Sequence, residues 1–212
     1  MLRYITAKGL RDYPVLTRSM FRDRAWQFRD RLGWDVQVDA NGEERDAYDA
    51  CDPLYVIWQR PDGRHGGSMR FLPTTGPTMV NDHFAHLRGG PPIVCPHTWE
   101  STRFCLAPGA DGRIAATLML GGGELMRGFG IHSFIGVFDA RMVRIYRRTG
   151  ASPLVLGSAG QGRDRVSLGR WTYDPADRAR LLTRAGVSSA LSDHWFARAF
   201  CRTPDTPAPR AA

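Results

Sequence analysis

Lysine is nearly missing from this chain: Lys8 stands alone among 29 basic side chains, and every other one is arginine. Also missing is any run of about 18 apolar residues, which excludes a membrane-spanning helix. The first residues show no basic segment followed by an apolar core, so no secretory signal is expected, and the reading is a soluble, cytoplasmic protein. Cysteine is scarce and scattered. Cys51, Cys95, Cys105 and Cys201 form no Cys-x-x-Cys pair, which fits free thiols better than a disulfide framework. His83-x-x-His86 with Cys95-x-His97 offers metal-ligand types, but the spacing matches no standard zinc site, and no metal is expected. No Gly-x-Gly-x-x-Gly follows a strand, which removes a dinucleotide fold. Gly121-Gly122-Gly123 is not followed by Lys-Ser or Lys-Thr, which removes a nucleotide P-loop. There is no internal repeat, no recognised nucleic-acid motif and no second folded domain.

What is present supports one substantial core. Hydrophobic residues make up 42% of the 212 positions, with six Trp and ten Phe, so a mainly disordered chain is excluded. The net charge is +8, and its placement is uneven. Residues 113 to 212 carry 15 basic and 7 acidic side chains, while residues 1 to 112 are balanced at 14 of each. An acidic partner would therefore meet the second half.

Along the chain, residues 14 to 33 predict an amphipathic helix, irregular near Arg24 and stopped by Gly33. Residues 35 to 53 have no clear period and predict a long mobile loop of the kind that serves as a lid. Residues 54 to 60 and 66 to 72 predict a β-hairpin, with Arg70 in its second strand. A short helix carrying Phe84 is expected over 79 to 87. From Ile114 to Gly130 the spacing is helical, but the three glycines cut through the middle at about 1 kcal/mol each. Residues 131 to 138 predict a buried strand, and 139 to 149 a helix capped by Asp139 and stopped by Gly150. Arg141, Arg144 and Arg148 share one face of that helix. Strands over 153 to 156 and 165 to 173 and helices over 175 to 185 and 189 to 200 complete a single domain of residues 1 to 202. The Pro-Ala tail from Thr203 is expected to be disordered. The alternation predicts an α/β fold, a three-layer sandwich with a mixed sheet.

The stretch His97-Thr98-Trp99-Glu100-Ser101-Thr102-Arg103-Phe104 places one acid among aromatics, with an arginine three residues on. As a regular strand it puts Glu100 and Thr102 on one face, and Trp99, Ser101 and Arg103 on the other. A bulge would change that parity. Two roles stay open for Glu100 at this point: a salt-bridged structural acid, or a general base tuned by its neighbours.

Several motifs occur together: Arg24-x-x-x-Phe28, Gly33-Trp34, Glu44-x-Asp46-x-Tyr48-Asp49, Arg70-x-Leu72-x-Thr74, Phe84 and Trp99-Glu100-x-x-Arg103-Phe104. In order and spacing they resemble the LuxI-type acyl-homoserine lactone synthases, the autoinducer synthases of bacterial quorum sensing, over residues 1 to about 175. The resemblance implies a fold like that of the GCN5-related N-acetyltransferases. It also implies an acyltransferase for which S-adenosylmethionine is a substrate, with no cofactor. The α-amino group of that substrate attacks an acyl thioester, and its carboxylate then displaces methylthioadenosine to close the lactone. On this reading Glu100 is the general base. Arg24 and Arg103 hold the carboxylate, and Phe28, Trp34 and Phe84 pack adenine and sulfonium. Asp46, Asp49 and Arg70 form a charged cluster that orders the 35 to 53 loop. Acyl carrier protein is the expected donor, with acyl-coenzyme A as the other, and the Arg141, Arg144 and Arg148 face resembles the carrier-docking helix. Where synthases of 3-oxoacyl products tend to carry a threonine facing the acyl pocket, this chain has Gly136, which argues against a 3-oxo product. Val137, Phe138 and Met142 are expected to help set acyl length. The competing reading is an acetyltransferase of the same fold acting on another amine. It lacks the Gln or Arg-x-x-Gly-x-Gly pyrophosphate loop that such enzymes use.

Overall fold

A computed structural model describes residues 1 to 200; the tail from Thr203 lies outside the described residues. Seven strands form one mixed sheet: β1 (Leu2–Thr6), β2 (Leu54–Gln59), β3 (His65–Pro73), β4 (Thr98–Leu106), β5 (Ser133–Asp139), β6 (Leu154–Ala159) and β7 (Val166–Thr172). Their order across the sheet is β1-β2-β3-β4-β5-β7-β6. β4 and β5 run parallel, and the other neighbours pair antiparallel. Alternation along β2 and β3 sorts side chains between two helical layers. Tyr55 and Ile57 meet Leu16, Met20 and Phe21 of α1 (Pro14–Ala25). Val56 and Phe71 share a core with Leu118, Leu125 and Met126 of α4 (Gly112–Phe129). The short helices α2 (Met79–His83) and α3 (Ala85–Arg88) cover the α1 side of β5 and β7 through Val80, Leu87, Ile135 and Leu168. α5 (Ala140–Thr149), α6 (Pro175–Ala185) and α7 (Ser189–Phe200) lie with α4. This is the three-layer sandwich that the alternation of elements predicts.

Two expectations change. α4 is unbroken across Gly121-Gly122-Gly123, so the amides of that run sit inside the helix and are not a phosphate cradle. Packing repays the helix cost at Gly121, where a Cβ would come 2.6 Å from Val56 Cγ1 and 2.8 Å from a Leu2 methyl. Gly121→Ala is accordingly expected to destabilise the fold by about 1–3 kcal/mol through overpacking, measured as a lowered denaturation midpoint. The irregularity expected near Arg24 is present: the first helix is regular to Ala25 and continues as a π-helical segment, Trp26–Arg31. The segment 35 to 53 is anchored and does not form a free lid. Val38 bridges to Glu44, and Asp46 and Asp49 form a reciprocal capping box on a 3₁₀ turn, Ala47–Ala50. Glu44 and Tyr48 are buried. The polar composition that suggests a loop reflects side chains that turn inward onto arginines.

β4 carries the distortion that matters for the site. Ser68 pairs with Cys105 and Arg70 with Thr102, so two steps on β3 face three on β4. The extra residue is a bulge, and Arg103 sits in the left-handed region at φ 52°. On the other side, β4 and β5 pair only from Thr98–Ser133 to Glu100–Ile135. Beyond that register both strands continue without pairing to each other.

Candidate active site

Where β4 and β5 part, a cavity of about 620 Å³ passes through the sheet. On the α1 side its walls include Phe28, Trp34, Phe84, Glu100 and Arg103; on the α4 side they include Phe104, Met119, Phe134, Phe138 and Tyr146. The bulge brings Arg103 to the same side of β4 as Glu100 and Thr102, which a regular strand would have forbidden. The sequence-based parity for Arg103 is therefore corrected.

Glu100 is fully buried, and its carboxylate faces the first turn of α2. Oε1 accepts from Val80 N–H at 2.7 Å and Oε2 from Met79 N–H at 3.0 Å. Burial, the largest influence, pushes its pKa from 4.5 up to about 7, against the opposing pull of those two amides and of Arg70. The residue thus clamps α2 and also presents to the cavity an acid poised between its two protonation states near neutral pH.

Behind it lies a closed ring of six alternating charges. Arg24 meets Glu44 at 2.5 Å, and Glu44 meets Arg103 at 3.0 Å. Arg103 meets Asp46 at 2.8 Å, and Asp46 meets Arg70 at 2.5 Å. Arg70 meets Asp49 at 2.8 Å, and Asp49 returns to Arg24 at 2.9 Å. Tyr55 Oη donates to Asp49 at 2.6 Å. Burial opposes ionisation of Asp49, but Arg24, Arg70 and the Tyr55 hydroxyl outweigh it and hold the carboxyl below the usual range. Three positive and three negative groups balance, so each buried charge has partners.

The ring distinguishes among its arginines. Arg24 is 1% exposed, gives Nε to Glu44 and Nη1 and Nη2 to Asp49, and does not line the cavity. Its expected place on a substrate carboxylate is corrected to a place in the scaffold, since those donors are already engaged. Arg70 is likewise engaged, by Thr102, Asp46 and Asp49. Arg103 does reach the cavity, and among the described residues its Nη1 meets only the Met79 thioether, at 3.6 Å. Glu44, the link between Arg24 and Arg103, stands inside a quoted motif but carries no role in the sequence reading; one acid in a polar stretch gives no sign of burial.

Phe28, Trp34 and Phe84 line one side of the cavity. The π-helical segment turns Phe28 inward, where it is buried and stacks on Trp34 at 5.1 Å and 13°. Trp34 is 40% exposed at the rim, and the Arg103 guanidinium lies 5.3 Å from the Phe28 ring centroid. Phe84, half-buried between α2 and α3, lines the same side. Phe138 and Met142 line the α4 side, and Arg141 stands at the rim with Nη1 on Asp139. Arg144 and Arg148 lie on exposed α5, with no carboxylate within ion-pair distance among the described residues. Gly136 lines the cavity, but a Cβ there would come 2.6 Å from the Ser101 carbonyl oxygen. The glycine therefore has a backbone reason of its own, and the inference drawn from it about the 3-substituent loses its footing. The residues weighed as zinc ligands separate: His83 meets Tyr48 edge-on, and His97 stacks on His132. Asp23, His65 and Ser68 form a hydrogen-bonded chain beneath α1, but none of them lines the cavity.

A family model described as autoinducer synthase matches residues 10–181. The chain is 43% identical over 198 residues to an acyl-homoserine-lactone synthase of Rhizobium etli, covering 90% of this chain and 92% of that one. Among solved structures, a CoA-dependent acyl-homoserine lactone synthase, BjaI, with SAM and isopentyl-CoA, superposes with TM-score 0.77 at 25% identity, covering 89% and 90% of the two chains. An acyl-CoA N-acyltransferase from Pseudomonas aeruginosa shares the fold at TM-score 0.52 and 14% identity, covering 81% of this chain and 99% of that one. With a cavity at the parting of two parallel strands and these relatives, the chain belongs to the autoinducer synthase family of acyl-homoserine-lactone synthases and is an acyltransferase.

Proposed function

We propose that the protein makes an N-acyl-L-homoserine lactone from S-adenosylmethionine and an acyl thioester. The observation that carries this reading is Glu100, an acid with its pKa pushed up to about 7 on the wall of a cavity that crosses the sheet. S-Adenosylmethionine enters on the α1 side, with adenine and sulfonium against Phe28, Trp34 and Phe84, and its carboxylate on Arg103 Nη1. The acyl thioester reaches the same point from the α4 side. Glu100 takes a proton from the α-ammonium group, directly or through one water, and the free amine attacks the thioester carbonyl. Backbone N–H groups along the unpaired edge of β4 stabilise the oxyanion, which collapses to the amide as the thiolate leaves and takes up the proton lost from the attacking nitrogen. The substrate carboxylate then attacks its own γ carbon, the C–S bond breaks, and methylthioadenosine departs as a neutral thioether. This second step is mainly a matter of folding the methionine chain correctly.

The experiment is to supply S-adenosylmethionine with a panel of acyl carrier protein and coenzyme A thioesters and to measure methylthioadenosine and lactone by mass spectrometry. Absence of methylthioadenosine with every donor would overturn the reading, and amide formation on a different amine would favour the acetyltransferase alternative.

For the donor, the reading favours acyl carrier protein. Arg144 and Arg148 on the exposed face of α5, beside the cavity rim at Arg141, present unneutralised positive charge to an acidic surface. Reversing Arg144 and Arg148 to Glu should raise KM for the carrier-linked donor by about tenfold while leaving kcat little changed. An unaltered KM would remove the docking role. Coenzyme A thioesters are the second donor class, motivated by the CoA-dependent relative BjaI.

A further inference from the structure

Of the three consecutive glycines in α4, packing explains the first. Gly121 lies hard against Val56 and Leu2, whereas a Cβ on Gly122 would make ordinary contacts with Phe71 at 3.4 Å and Phe134 at 3.5 Å. Gly123 differs. A Cβ there would meet nothing within 4 Å, and its backbone is ordinary right-handed helix. Glycine in a helix interior is less favourable than alanine, and at position 123 neither a neighbouring atom nor a special φ repays that cost.

The space in front of Gly123 is the cavity. Met119, four residues before it, and Met126, three after it, line the same void, as the period of a helix requires. The two methionines lie about 10 Å apart along the helix axis. Past them the walls are Leu181, the half-buried Tyr173, Asp177 and Arg178, and the exposed Asp174 at the rim. Arg178 gives Nε to Glu124, Nη1 to Ser189 and Nη2 to Asp193, Asp177 pairs with Arg180, and Asp174 accepts from Ala176 N–H as the cap of α6.

We infer that Gly123 is a specificity-determining position: its missing side chain lets a long, straight acyl chain pass along α4 between Met119 and Met126 toward Tyr173. The inference rests on the N-acyltransferase reading above and deepens it by naming the acyl class. The unbranched methionine side chains can follow a flexible chain along this wall. The apolar run from Met119 past Gly123 to Met126 and Leu181 suits a hydrocarbon chain better than a polar one.

Wild type, Gly123→Leu and Gly123→Val are each given S-adenosylmethionine with an equimolar mixture of short-chain and long-chain acyl thioesters, and the two lactones are quantified by mass spectrometry. Wild type should favour the long chain. Both variants should shift the product ratio toward the short chain by at least about tenfold, the size expected for losing two buried methylenes. Gly123→Ala should raise the melting temperature, because alanine favours the helix and has room. An unchanged product ratio in a folded Gly123→Leu or Gly123→Val would overturn the inference. So would a lowered melting temperature in Gly123→Ala, which would show that the fold itself needs the glycine. The parent reading fails separately, through absence of methylthioadenosine from wild type. In that event, thermal stabilisation by the long-chain thioester, shown by wild type and lost in Gly123→Leu, still decides the pocket question; no such difference overturns it.

Discussion

Glu100→Gln is expected to lower kcat by about two to four orders of magnitude, the range a positioned general base contributes, with S-adenosylmethionine binding largely retained. The amide cannot accept the ammonium proton, while its size and its remaining carbonyl oxygen keep one of the two bonds to the first turn of α2. In wild type the rate should fall on the acid side with an apparent pKa near 7, because only the carboxylate can act as base. Residual activity of the variant should lack that limb. The stability readout runs the other way. The folded pKa lies above the ordinary 4.5, so folding favours the protonated acid. That contribution is fully present below about pH 4.5 and is lost as pH rises through about 7, amounting to about 3 kcal/mol. Wild type should therefore lose stability relative to Glu100→Gln across that window, measured by denaturant midpoints at several pH values. Full turnover in the variant would leave Glu100 as the α2 clamp alone.

The order of elements was legible because local pattern and tertiary demand agree. The hairpin of β2 and β3, the Asp139 cap and the Gly150 stop all recur in the fold. What resisted reading depends on partners remote in the chain. Gly121 sits in a helix that its own propensity opposes because β1 and β2 press on it. Glu44 and Asp49 look like loop acids until Arg24 and Arg103 are brought beside them. The bulge at Arg103 has no local marker such as glycine, and it shows only in the mismatch of register with β3. Arg24 illustrates the difficulty: its place in the motif order carries the family resemblance, yet that order cannot say whether a guanidinium faces a substrate or two carboxylates of its own chain.

That distinction can be measured. Arg24→Met removes one positive charge from the closed ring and leaves Glu44 and Asp49 short of a partner in a dry interior. Breaking a buried pair on one side costs about 3–5 kcal/mol, and in a protein of this size that lowers Tm by about 10 °C. Asp49 retains Arg70 and Tyr55, and Glu44 retains Arg103, so the loss is expected in stability first. Assayed well below its transition, the folded variant should keep a KM for S-adenosylmethionine close to that of wild type. Arg103→Met, which removes the cavity-facing Nη1 as well as a ring member, should raise that KM about tenfold or more, as loss of a charge-assisted bond predicts. A variant at position 24 with unchanged Tm and a raised KM would return Arg24 to the substrate. The expected pattern makes the ring a mount: Arg24 and Arg70 hold Glu44, Asp46 and Asp49 in place, and those acids aim Arg103 across the bulge toward the face that Glu100 already occupies.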